Sequence, residues 1–171
     1  MTHMSRCLGF FLAILTGSVA AAGENPNSVA YRTQGTGAYS PWTGDYGGVG
    51  AGTHLGRHTF SGKVAISPTA NPLVFDFSIF PAAPQETIAA NGDTLLFSST
   101  GQVELIPLDE TFTTFSAVWS GDFVVVGGTG RFANAQPADK PLHVVAINDP
   151  FTFLDAEWTF SWELMGRIVL P

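Results

Sequence analysis

Two histidines four residues apart, His54 and His58, with Arg57 between them, are the densest chemistry-bearing group in the sequence. On a helix, His-x-x-x-His puts both rings on one face and chelates zinc. Here the surrounding Gly52-Thr-His-Leu-Gly-Arg-His-Thr59 has the composition of a strand. Strand positions four apart share a face but lie about 13 Å from one another, too far for one ion. The two histidines are therefore expected to act separately, as polar or lumen-facing groups, each able to serve alone as an acid or base. Arg57 falls on the opposite face, where it can pair with a carboxylate across a sheet or hold an anionic ligand at a barrel mouth. Asp155, Glu157 and Glu163 form a row of carboxylates on one side of an alternating segment. Neighbours two apart on a strand face are about 6.6–7 Å apart, a spacing that suits inverting glycoside hydrolysis. A solvated strand face produces the same alternation with no catalysis and is the plainer reading. Asp93, behind Asn91-Gly92, is expected to cap its own turn. No Ser/His/Asp or Cys/His set has usable spacing, and neither a metal nor a cofactor is expected.

The elements that must position these groups read almost throughout in period two. In Leu154-Asp-Ala-Glu-Trp-Thr-Phe-Ser-Trp-Glu-Leu164, apolar and polar residues alternate without a break. A strand sends alternate side chains to opposite faces, so Leu154, Ala156, Trp158, Phe160, Trp162 and Leu164 should share the buried one. Further strands are expected over Val29–Tyr39, His54–Ser67, Leu73–Phe80 and Leu142–Ile147. Thr94–Phe97 and Gln102–Ile106 flank Ser98-Ser-Thr-Gly101, which reads as a hairpin turn. Ser120-Gly-Asp122 reads as a turn or bulge between Phe115–Trp119 and Phe123–Val126. The glycine-rich Gly47-Gly-Val-Gly-Ala-Gly52 reads as compositional bias. About eight short strands separated by turn signals indicate a single all-β domain, a small antiparallel barrel with a sandwich as the alternative.

The 171 residues begin with Arg6, an apolar run from Leu8 to Leu15, and a small-residue stretch ending at Ala20-Ala-Ala22. That order is a cleavable secretory leader over residues 1–22, and it makes residues 23–171 the mature domain, exported to the periplasm or the extracellular space. The run is shorter than the ~20 residues needed to span a bilayer, so no stable membrane insertion is expected after cleavage. Cys7, the one cysteine, would leave with the leader, and no disulfide can form within the chain. The formal net charge is −7, and the basic residues stand singly. Nucleic-acid binding needs a clustered basic footprint and is excluded on that ground; an anionic membrane surface is disfavoured for the same reason. The 14 Phe and 4 Trp supply a large apolar interior, with Phe75, Phe77, Trp158, Phe160 and Trp162 expected in it. An eight-stranded barrel either fills its interior or holds one small ligand.

The segment Val124-Val-Val-Gly-Gly-Thr-Gly-Arg-Phe-Ala-Asn-Ala135 resembles the strand-to-turn signature of the allene oxide cyclase barrel and dirigent-like superfamily. With Gly52–Thr59 and Asn91-Gly-Asp-Thr-Leu95, it is similar to an uncharacterised secreted bacterial branch of that superfamily. The resemblance implies an eight-stranded antiparallel barrel, often trimeric, with an apolar lumen. Activities in the superfamily range from cyclising unsaturated fatty-acid epoxides to steering radical coupling. No catalytic residue of either plant family is carried over. Gly127, Gly128 and Gly130 are expected to turn the chain through positive φ, and Phe132 to plug the end of the barrel. The loop after it, Gln136-Pro-Ala-Asp139, departs from the family pattern, which continues with glycine. His54, Arg57, His58 and Arg131 remain as ligand-binding candidates. The expected partner is a small apolar molecule, met by an isomerase or cyclase of this type; the alternative is a filled, non-catalytic extracellular module working through its outer surface.

Overall fold

The computed structural model describes residues 25–171, so the leader expected over residues 1–22 lies outside the described residues. Eleven strands are formed: β1 Ser28–Tyr39, β2 Asp45–Gly52, β3 Gly56–Lys63, β4 Ala65–Pro68, β5 Val74–Ile79, β6 Gln85–Ala89, β7 Thr94–Pro107, β8 Phe115–Gly128, β9 Gln136–Pro137, β10 Leu142–Asn148 and β11 Trp158–Val169. All pairings are antiparallel. Neighbours run β7-β6-β3-β2-β1-β11-β10-β8, and β8 pairs with β7 again, closing an eight-stranded barrel. The sandwich alternative falls with that closing pair. β4, β5 and β9 lie outside the ring. β5 and β6 share one edge of β7, Ile79 facing Ser99 and Gln85 facing Phe97, with Phe80–Pro84 looping out between them. The two prolines in that excursion lack the N–H that a continuous ladder needs.

β11 shows why the period-two pattern is informative. Trp158, Phe160, Trp162, Leu164 and Ile168 turn inward, while Thr159, Ser161 and Met165 face out. The alternation expected from Leu154 starts later than the sequence suggests. Leu154 is 89% exposed, and residues 154–157 belong to a loop. Phe151 pulls that loop in by stacking on Trp158, ring centroids 3.9 Å apart, and by bridging to Phe115. Two expected turns are also absent. Ser98–Gly101 and Ser120–Asp122 lie within the continuous strands β7 and β8, where Gly101 faces Gly121. The Phe77 ring covers this pair, and a Cβ on either glycine would come within 2.8 Å of it. The polar, small residues are there to make room for a ring. Conversely, His54–Ser67 is not one strand: His54 sits in the turn before β3, and the chain bends at Val64 before β4. β2, formed by the stretch read as glycine bias, and β6 were not anticipated.

The strand ends define two rims. The lower rim carries Ser28, the Ala89–Thr94 turn, Gly128 and Leu142; the upper carries Tyr39, Asp45, Pro107, Phe115 and Trp158. Tyr31, Leu95, Phe97, Leu142, Ile168 and Phe132 are fully buried and pack the lower half. Phe132 is fully buried at this rim, carried by a single turn of 3-10 helix, Gly130–Phe132. The reversal falls at Gly130 alone, at φ 57, because Gly127 and Gly128 are still strand, facing Leu96 and Leu95. Asp93 does more than cap its turn. It meets Asn91 Nδ2 (2.8 Å) and Arg131 Nε (3.4 Å) and occupies the space a Gly130 side chain would need.

Alanine at Gly130 should therefore destabilise by more than about 1 kcal/mol, from the left-handed backbone and the collision with Asp93. Phe132→Ala should cost about 3–5 kcal/mol as a core truncation, and Arg131→Ala under about 1 kcal/mol as loss of an exposed pair. Chemical denaturation of the three variants checks the pattern; a Gly130→Ala protein as stable as the parent would contradict this account of the rim.

Candidate functional site: the barrel lumen

Along the inner wall, two rows repeat one arrangement, ring–Gly–Gly–ring. Phe60 on β3 faces Gly48, Gly48 faces Gly37, and Gly37 faces Phe160 on β11. Next to it, His58 faces Gly50, Gly50 faces Gly35, and Gly35 faces Trp162. β3 and β11 are three strand spacings apart, about 14 Å. Their rings nevertheless meet over the glycines: Phe60 and Phe160 at 6.4 Å, His58 and Trp162 at 6.1 Å, Phe60 and Trp162 at 5.1 Å between centroids. A Cβ on Gly50 would stand 2.7 Å from His58 Nε2 and 2.8 Å from Trp162 Cζ2. Only glycine lets the rings lie down against the wall.

Above this floor the lumen is hollow. A cavity of about 90 Å³ is bounded by Tyr39, Phe60, Phe77, Trp119, Phe160 and Trp162. Val64, at the bend before β4, and Ile79, at the end of β5, reach it from outside the ring. Trp119 is fixed by an Nε1–H donated to Asn148 Oδ1 (2.7 Å), while Asn148 Nδ2 donates to the Thr159 carbonyl (3.0 Å). Some polar groups at the wall satisfy one another, whereas the buried Nε1–H of Trp162 has no hydrogen-bond partner among the described residues. Tyr46 Oη donates to Gln85 Oε1 (2.8 Å), and Gln85 Nε2 donates to Thr87 Oγ1 (3.0 Å). Burial pushes the phenols of Tyr39 and Tyr46 up from their ordinary value, so both stay neutral. These tyrosines are the only ionisable residues on the cavity wall.

The candidate residues named from sequence do not converge on this cavity; only Arg57 and His58 come together, along a groove of the outer wall that Glu163 also borders. His54 is exposed at φ 62, its Nε2–H donated to the Ala30 carbonyl (3.0 Å). Arg57 lies on the outer wall opposite Ala51. Arg131 is at the lower rim, away from the hollow half. His58 alone turns inward, beneath the cavity floor and against Trp162. Its Nδ1–H donates to the Gly56 carbonyl (3.0 Å), which leaves Nε2 to accept from the Thr33 hydroxyl (3.2 Å). The carboxylate row dissolves as well: Asp155 accepts from Thr152 N (2.6 Å) inside the upper loop, Glu157 is in that loop, and Glu163 pairs with Arg32. Among the described residues, no group of three His, Cys, Asp or Glu side chains could hold a metal ion.

Tyr39, Tyr46, Trp119 and Gln85 were missed as site residues. The available signal was the alternation of glycine with large rings, which marks strands whose inner face must accommodate neighbours' side chains. No family model, curated protein or solved structure matches the chain.

Burial lowers the His58 pKa, outweighing the opposite pull of its bond to Gly56. The unfolded chain then binds a proton more readily than the folded one in the window between the lowered value and about 6.5. Stability contributed by His58 is complete above about 6.5 and is lost as pH falls through the lowered value. Urea titrations between pH 7.5 and 5 should show a steeper loss in the parent than in His58→Gln; equal slopes would contradict the buried neutral imidazole.

Proposed function

We propose that this protein is an exported barrel that binds a small apolar molecule, or the hydrocarbon end of a larger one, in the upper half of its lumen. The observation that carries the reading is the hollow itself. Eight aromatic rings stand around about 90 Å³ of unfilled space, while the lower half of the same barrel is packed with fully buried side chains. An apolar wall offers water few hydrogen bonds, and an occupant without polar groups gains contacts there that water cannot make. The wall holds no carboxylate, imidazole or amine, and its two phenols are held neutral. Cyclase or isomerase chemistry relies on a group that moves a proton or stabilises charge at the reacting atoms. The wall therefore supports binding rather than turnover. The closed eight-stranded ring and the buried Phe132 are what supports kinship with the allene oxide cyclase type of barrel; that kinship also implies homotrimers.

A second reading, a filled module that works through its outer surface, draws on the cavity's size, which is well below the ~300 Å³ of sites for drug-sized ligands. Benzene distinguishes the two, since an engineered apolar cavity of about 150 Å³ binds it. Under the binding reading, benzene at about 100 times its dissociation constant should stabilise the protein by about 2.7 kcal/mol in thermal unfolding. Ala146→Leu, which fills the lumen from β10, should remove the effect. An unchanged midpoint for the parent at saturating benzene would favour the filled module. Mass spectrometry of molecules copurifying with exported protein would then identify the natural occupant.

A further inference from the structure

We propose that the upper rim docks on the surface of an uncharged, zwitterionic lipid bilayer through the tips of three loops. The loops joining β1 to β2, β7 to β8 and β10 to β11 all close this end of the barrel. Each one presents large apolar side chains to solvent: Trp42 at 69% exposure, Phe112 at 59% and Leu154 at 89%, with Leu108 and Phe153 beside them. The lower-rim turns show the opposite pattern. Their large apolar residues, Leu55 and Phe132, are buried, and no large apolar side chain is exposed in residues 53–55, 90–93 or 129–141. The contrast is between the turns at the two ends of one barrel.

Phe112 is held out at a cost. Its φ is 55, a left-handed conformation that a bulky side chain adopts only when its surroundings impose it. Asp109 imposes it. Its carboxylate accepts from the backbone N–H groups of Thr111 (3.0 Å), Thr113 (3.0 Å) and Thr114 (2.7 Å), and from the hydroxyls of Thr111 (2.7 Å) and Thr113 (2.9 Å). Five donors on one carboxylate fix the loop with its phenylalanine outward. A side chain already fixed in place loses little freedom on docking.

Shape and charge select the occupant. The exposed apolar groups are divided among three separate loops, and a bilayer interface yields around such points where a folded partner would need a pocket for each. Tryptophan and aromatic rings favour the headgroup level. The three loops carry Asp109, Glu110, Asp149, Asp155 and Glu157 and no lysine or arginine, on a chain of net charge −7. Anionic lipid is repelled, which leaves a zwitterionic surface. No helix among the described residues is long and apolar enough to cross a membrane, and peripheral docking needs none.

The test is flotation of the leader-free protein with phosphatidylcholine vesicles, and in parallel with phosphatidylglycerol vesicles. The protein should float with phosphatidylcholine and not with phosphatidylglycerol, and brominated phosphatidylcholine should quench its tryptophan emission less in Trp42→Phe than in the parent. The double variant Phe112→Ser/Leu154→Ser, altered only at exposed positions, should lose about tenfold or more of its partitioning. Ile147→Ser, an exposed outer-wall control, should partition like the parent. Failure to float with phosphatidylcholine, equal or stronger binding to phosphatidylglycerol, or equal loss in Ile147→Ser would each overturn the proposal. So would vesicle-free self-association in sedimentation velocity that Phe112→Ser abolishes, because the rim would then be a surface for a second copy of the chain.

Discussion

Large rings laid over cross-strand pairs of glycine are the interaction on which this barrel depends. Eight strands close into a cylinder barely wide enough for the side chains that point into it. Phe60, Phe160, His58 and Trp162 find room because β1 and β2 offer glycine at the facing inner positions: a Cβ on Gly37, Gly48 or Gly50 would meet a ring, and one on Gly35 would meet the β2 backbone. The same device recurs where Phe77 lies across Gly101 and Gly121. Glycine weakens an isolated strand, and here the covering ring replaces the packing that the missing side chain would have supplied.

The two halves of the lumen differ as a consequence. Toward the lower rim, Tyr31, Phe97, Leu142 and Ile168 are fully buried together with Phe132. In the upper half, rings pressed flat against a glycine wall, with β5 leaning in from outside the ring, enclose space that no side chain enters. Aromatic contacts among Phe115, Phe151, Phe153 and Trp158 tie the upper loop to the barrel mouth. One wall composition thus accounts for both a rigid base and an apolar hollow.

Much of this was legible in the sequence, for identifiable physical reasons. The alternation from Trp158 to Leu164 fixes which residues face inward, because a strand has no other way to bury one set. Phe132 could be placed inward from the glycine that precedes it. What sequence obscured is the role of glycine inside strands. Gly47–Gly52 looks like compositional bias, and Ser98–Gly101 and Ser120–Asp122 look like turns, since local propensity favours those readings. Tertiary packing overrides it: a glycine covered by a ring one or two strands away carries no local mark of that partner. The histidine site failed for a related reason. His54, at φ 62, leaves the strand two residues before β3 begins, so the spacing to His58 has no strand geometry behind it. The cavity depends on Tyr39, Tyr46 and Trp119, which are far apart in sequence and meet only when the sheet closes.

The most direct measurement of the ring-on-glycine account is a double-mutant cycle between Gly50 and Trp162. Gly50→Ala places a Cβ against Trp162 Cζ2 and His58 Nε2 and should cost about 1–3 kcal/mol in the parent by overpacking. In a Trp162→Leu background part of that space is free, and the same alanine should cost at least about 0.5 kcal/mol less, a coupling outside the error of independent sites. Strict additivity of the two substitutions in urea denaturation would mean that the glycine does not make room for the ring, and the explanation of the hollow lumen would fail with it.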